Sequence, residues 1–148
     1  MNLEDTKVLV EGLMDLHNLK GWSFKFDSAK RRFGACHFSK KMITLSKSLV
    51  LINKKSEIED TILHEIAHAL VGPGYGHCWV WKSKAISIGC TGDRCYKSVE
   101  VEKPVGKHQY QCPNCKKIIQ AYKIWRVNKS CSKCSSGRYN PMFKFIKI

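Results

Sequence analysis

Negative charge is scarce in this chain. Twelve Asp and Glu stand against 26 Lys and Arg among 148 residues, a formal net charge of +14. No acid follows Glu102. That balance points to a polyanionic partner. Long apolar runs are absent too. None approaches the roughly 18–20 residues that a membrane helix needs, so no membrane partner is expected. Basic residues are nearly absent from the start of the chain, where Met1 to Asp15 hold four acids and one Lys. That is the reverse of a secretory or organellar leader. The expected setting is therefore reducing and nucleic-acid-associated, not secreted. It would be the cytoplasm, the nucleus if the source is eukaryotic, or the host cytoplasm if it is viral. Internal repeats, low-complexity tracts and a long flexible linker are also missing. One small domain with an appendage, and a monomer, are expected. A hydrophobic content of 43% excludes a disordered chain.

The charge that is present is unevenly placed. Residues 1–95 carry 14 Lys and Arg against 10 acids, whereas residues 96–148 carry 12 against 2. Pro104 and Gly106 interrupt a polar stretch between Tyr96 and Lys107. Two domains follow, 1–95 and 105–148.

Apolar spacing predicts a helix over 3–19, with Leu9, Val10, Leu13, Met14 and Leu16 on its inner side. Trp22, Phe24 and Phe26 alternate as in a strand, and 31–37 and 42–46 read as two more. Together they suggest a small antiparallel sheet, followed by a short helix at 47–52. The clearest helix has Ser56 and Glu59 as a candidate capping box. It keeps Ile58, Ile62, Leu63, Ile66 and Ala69 on one side and ends at Gly72-Pro73-Gly74. A further helix is expected from Cys78 to Ile88. Short β-prone runs separate the Cys pairs of the C-terminal part.

Within the capped helix stands His64-Glu65-Ile66-Ala67-His68, an H-E-x-x-H pattern. Residues four apart share a helical face, so both imidazoles can reach one ion. Glu65 is placed to act on a metal-activated water without ligating the metal. Catalytic zinc takes three protein ligands and keeps a fourth position open. His77, beyond the Gly-Pro-Gly turn, is the natural third. The chemistry would be metal-assisted peptide hydrolysis with Glu65 as general base.

A second constellation is Cys112-Pro-Asn-Cys115 and Cys131-Ser-Lys-Cys134. Two C-x2-C pairs at this separation suit a four-thiolate structural zinc site. Such a site would fold a segment too small for its own core. Two zinc ions per chain are expected, one catalytic and one structural. Around the cysteines lie Lys116, Lys117, Lys123, Trp125, Arg126, Lys129, Lys133 and Arg138, candidates for contact with DNA, single-stranded DNA included. Tyr110 and Phe143 are read as core.

The stretch from His64 to Leu70, then His77, then Trp81-Lys82, resembles the SprT-like (Spartan-like) zinc metallopeptidases. Arg32-Phe33-Gly34-Ala35-Cys36 and Ile43-Thr44-Leu45-Ser46 resemble that family's R-x-G-x-C and I-x-L-S segments, and the family commonly ends in a zinc ribbon. Cys78 departs from the Gly often found there. The resemblance implies an α+β fold, a zincin-like metallopeptidase domain (the H-E-x-x-H helix plus short antiparallel strands) followed by a β-rich zinc ribbon. It implies His64, His68 and His77 as zinc ligands and Glu65 as the catalytic residue. It further implies a DNA-associated endopeptidase acting on proteins bound or crosslinked to DNA.

Two rivals remain. One is a non-catalytic zinc-ribbon nucleic-acid binder or transcription-related accessory factor. The other is a peptidase for one soluble target. Cys36 is expected in the core, and Cys90 and Cys95 as reduced thiols. Trp79 and Trp81 are expected to pack the helix after His77, with either able to border the substrate cleft.

Overall fold

The computed structural model describes residues 1–94 and 101–148, and the chain divides into two units, Met1–Pro104 and Val105–Ile148. Cys95, and with it the Cys90–Cys95 spacing, lies outside the described residues, as does the Tyr96 end of the expected break.

The first unit runs α1 (Leu3–Leu16), β1 (Ser23–Asp27), β2 (Gly34–His37), β3 (Met42–Ser46), α2 (Lys47–Ile52), α3 (Lys55–Val71) and α4 (Trp79–Ser87). The Asn2 side chain caps α1 by accepting from the Asp5 N–H. The helix ends before residue 19 because Asn18 turns left-handed at φ 56°. That turn returns Leu19 to the core with its N–H on the Met14 carbonyl. Thr6, Val10 and Met14 form the buried stripe, and Leu16 is exposed.

The sheet order is β1-β3-β2. β2 and β3, joined by the tight 38–41 turn, pair antiparallel as expected. β1, however, runs parallel to β3. The reason is burial. β3 is the most apolar strand, with Ile43 and Leu45 fully buried, and it takes the centre. Phe24 and Cys36 flank Ile43 while Phe26 and Gly34 flank Leu45. Among the described residues β2 is left as an edge.

α3 spreads apolar residues over two faces. Ile58, Ile62 and Ile66 enter the main core with Val10, Leu49 and Ile43. Leu63 and Ala67 form a second cluster with Trp81, Ala85 and Cys90. Each buried isoleucine contributes about 1.5–3 kcal/mol. The expected capping box does not form. The N-cap is Lys54, without a side-chain cap, and Ser56 lies inside the first turn. The connection from α2 leaves only Asn53 and Lys54 outside helix, so α3 starts before Ser56 can cap it.

Asn53 has a different task. Its buried amide donates to the carbonyls of Leu49 at 2.8 Å and Glu102 at 2.9 Å, and accepts from the Glu102 N–H at 2.7 Å. Val101 beside it is buried in the main core. The first unit therefore runs past the expected limit at 95, because this strap completes its core.

The second unit is an antiparallel sheet of β4 (His108–Gln111), β5 (Ile118–Ala121) and β6 (Ile146–Lys147), ordered β5-β4-β6, with a 3-10 turn at Pro141–Phe143. Its core is Tyr110, Cys112, Ala121, Cys131 and Phe145. The class is α+β. Among the described residues no helix is long and apolar enough to cross a membrane.

Truncating Asn53 removes the side-chain partner of both the Glu102 N–H and the Glu102 carbonyl and so releases the strap that carries Val101. Asn53→Ala should lower the stability of the first unit by about 1–3 kcal/mol in urea unfolding, while Lys54→Ala on the exposed neighbour leaves the midpoint unchanged.

Candidate metal centre and substrate cleft

The third side of α3, between its two apolar faces, opens on a cleft of about 1230 Å³. His64 and His68, one turn apart, look into it. The chain leaves α3 through Gly72 at φ 87° and re-enters α4 after Gly76 at φ 53°. Left-handed backbone at these two positions is what glycine adopts without cost, and it brings His77 back over the helix. The His77 Nε2 atom lies 3.0 Å from that of His64 and 3.1 Å from that of His68. Three ring nitrogens bound tetrahedrally to one zinc sit about 3.3 Å apart. The donor set therefore fits a zinc ion.

Burial, reinforced by the charge of His77, brings His64 down to about 4 against the opposing charge of Asp60. Burial also brings His68 down to about 4, with help from the charges of the other two imidazoles. Burial and the Arg94 charge lower His77. In all three rings burial thus favours the neutral form, which keeps a lone pair for a metal.

Beneath them lies Trp81, 1% exposed. Its ring is 4.6 Å from His64, 5.1 Å from His68 and 4.7 Å from His77 between centroids. Its Nε1–H points to the His64 carbonyl at 3.4 Å. Trp81 is the floor on which the three imidazoles rest. Trp79, two residues earlier, is 77% exposed and is not a core residue of the helix, contrary to expectation.

Glu65 turns toward β2 and is 6% exposed. Burial pushes its carboxyl up to about 8, and the Arg32 guanidinium pulls partly against that. Room for Glu65 comes from Gly34, where a Cβ would lie 2.9 Å from Glu65 Cγ and Oε1. Only the R-x-G-x-C resemblance hinted at this role. Cys36, expected in the core, is half-buried and lines the cleft. Burial and the nearby Glu65 charge push its thiol up to about 12, which keeps it protonated. Arg32 is held at the cleft by Asp27 at 2.9 Å.

In the second unit the four cysteine sulfurs converge. Cys112 Sγ lies 3.8 Å from Cys134 Sγ and Cys115 Sγ 3.7 Å from Cys131 Sγ. Tetrahedral zinc thiolates sit about 3.8 Å apart, so this set also fits zinc. Burial of the Cys112 thiol is outweighed by main-chain hydrogen bonds from Cys115 and Asn114, and it falls to about 7.

Lys116, Lys117, Lys123, Arg126, Lys129, Lys133 and Arg138 are all exposed. Trp125 is not free to stack on a base. Its ring lies flat on Tyr110 at 4.1 Å and edge-on to Phe145, with Lys129 Nζ 4.7 Å from its centroid. Its N–H donates to the Tyr110 hydroxyl at 3.0 Å. The unit is too small to do without that ring in its core.

Trp81→Ala should cost about 3–5 kcal/mol of stability. It should also weaken divalent-metal binding at the histidines without affecting the four-cysteine set. Calorimetric metal titration alongside thermal unfolding checks both.

No curated protein matches this sequence. Among solved structures, the crystal structure of the metallopeptidase zymogen of Methanocaldococcus jannaschii jannalysin is similar at 16% identity and a TM-score of 0.47. The match covers 64% of this chain and 85% of that one. The model of the SprT-like family matches residues 6–103, which take in the cleft, the three histidines and Glu65. The chain belongs to the SprT-like family.

Proposed function

We propose that this SprT-like metallopeptidase is a zinc-dependent endopeptidase that cleaves proteins bound or crosslinked to DNA. The observation that carries the catalytic half is the meeting of three imidazoles and the buried Glu65 carboxyl in one cleft. His64, His68 and His77 would hold the zinc ion. Bound there, zinc supplies polarisation of the scissile carbonyl and acidification of water.

The chain's own groups do the rest. Glu65 in its ionised form, its basicity raised by burial, takes the proton of the attacking water as the new C–O bond forms. It returns that proton to the amide nitrogen as the C–N bond breaks. Among the described residues the second edge of β2 has no strand partner, and β2 lines the cleft through Gly34, Ala35 and Cys36. An extended peptide can pair with such an edge through main-chain hydrogen bonds, which need no particular side chain.

The DNA half is supported by the second unit. Its exposed cations meet no acid in their own sequence, so it presents a field of one sign. An unselective peptidase tethered to DNA meets DNA-bound proteins at high effective concentration. Location then supplies the selectivity that the cleft does not.

The test is a proteolysis assay on DNA-bound protein, with and without single-stranded DNA. Wild type should cleave with zinc and faster with DNA. Glu65→Gln should lose cleavage while keeping zinc and DNA binding. Log affinity for DNA should fall with log salt by about 0.7 per phosphate contacted on a single strand. A wild type that cleaves nothing overturns the enzyme, and a flat salt response removes DNA. Gly34→Ala should cost on the order of 100-fold in cleavage rate through a displaced Glu65, with metal binding retained.

A further inference from the structure

The two cysteine knuckles of the second unit are each closed by their own main chain. In the first, the Lys116 N–H donates to the Cys112 carbonyl at 3.1 Å and the Cys112 N–H to the Lys117 carbonyl at 3.0 Å. In the second, the Cys134 and Ser135 N–H groups donate to the Cys131 carbonyl at 3.1 Å and 2.9 Å. An amide side chain crosses from one knuckle to the other. Asn114, between the cysteines of the first, donates its Nδ2–H to Cys134 Sγ at 3.4 Å.

The sulfurs also meet across the knuckles, Cys112 with Cys134 at 3.8 Å and Cys115 with Cys131 at 3.7 Å. Those contacts are hydrogen bonds only while a thiol proton remains. A metal binds thiolates, so that proton leaves when the site fills. The Asn114 bond has a different fate. Its proton belongs to an amide, which keeps it. A hydrogen bond to an ionised acceptor is also roughly twice as strong as one between neutral groups. This cross-knuckle bond therefore strengthens in the state that holds metal.

Cys134 is a sulfur for which such a bond matters. Cys112 and Cys131 are buried, whereas Cys115 and Cys134 are half-buried and within reach of an electrophile. A thiolate that accepts a hydrogen bond is less basic, and a less basic thiolate is a weaker nucleophile. Loss of a partner that orients a metal ligand costs about 10–100-fold in metal affinity. We propose that Asn114 is a positioning residue for the four-cysteine metal site. Its amide holds the Cys134 thiolate toward the first knuckle and tempers its reactivity. The inference rests on the reading of Cys112, Cys115, Cys131 and Cys134 as metal ligands.

The experiment is a Co²⁺ titration of the full chain against a competing chelator, followed in the sulfur-to-cobalt charge-transfer band. Thiolate ligands give that band and imidazoles do not, so it reads the cysteine site alone. Asn114→Ala should weaken Co²⁺ binding there on the order of 10–100-fold and shift the band. Asn114→Asp keeps the shape but sets an anion against the thiolate, and should weaken binding at least as much. Asn114→Gln keeps the amide and should retain more affinity than Asn114→Asp. In the zinc-loaded chain, labelling with N-ethylmaleimide is mapped by mass spectrometry. The ratio of labelling at Cys134 to labelling at Cys115 should rise in Asn114→Ala.

An affinity, band and labelling ratio that stay at wild-type values in Asn114→Ala overturn the positioning role. So does an equal loss in Asn114→Ala, Asn114→Asp and Asn114→Gln, because packing alone does not tell a donor from an anion. Should Asn114→Ala fail to fold, the Asn114→Asp and Asn114→Gln pair decides by the same comparison. A wild type without the charge-transfer band overturns the metal reading of the cysteines itself, which is a different failure.

Discussion

Helix α3 has to bury two apolar faces at once, and the first unit is organised by that requirement. Successive residues on a helix are about 100° apart. The Ile58, Ile62 and Ile66 row therefore faces the main core while Leu63 and Ala67 face α4. What remains is a narrow strip carrying His64 and His68, with Glu65 angled toward β2. Packing on both flanks leaves the helix no freedom to roll. The imidazoles and the Glu65 carboxyl are thus presented in one orientation.

Elements around that strip are defined by what they bring to it. α4 supplies Trp81, a single aromatic in contact with all three histidines. The glycine turn supplies His77. β2 supplies an edge and, at Gly34, a missing Cβ that makes room for the Glu65 carboxylate. Because the same burial that stabilises the unit desolvates these groups, it also moves their proton affinities in useful directions. The imidazoles become poorer bases toward protons and stay open to a metal, while Glu65 becomes a better base.

In the second unit the balance is reversed. Its core of Tyr110, Ala121 and Phe145 is small, and two of its buried side chains are themselves cysteines of the four-sulfur cluster. A core of that size draws on every large ring available, which is why Trp125 is committed to Tyr110 and Phe145. The cations are left on the outside, where they cost nothing to solvate and remain available to a polyanion.

The metal-binding patterns were legible in the sequence because their geometry is local. Four-residue spacing on a helix and two-residue spacing in a knuckle place ligands side by side whatever surrounds them. The α+β class was legible from periodicity for the same reason. Ser56 misled, since cap chemistry depends on where the preceding turn leaves off, and here Asn53 and Lys54 decide that. Trp125 misled because an aromatic among cations looks alike in sequence whether it faces solvent or core. The parallel β1–β3 pair, the Val101 strap held by Asn53 and the place of Gly34 against Glu65 all join residues far apart in the chain. By itself the sequence determined which groups could bind metal and carry charge, through short-range spacing. Tertiary structure alone decided which of them are desolvated, oriented and accessible, because those properties come from neighbours that only folding brings together.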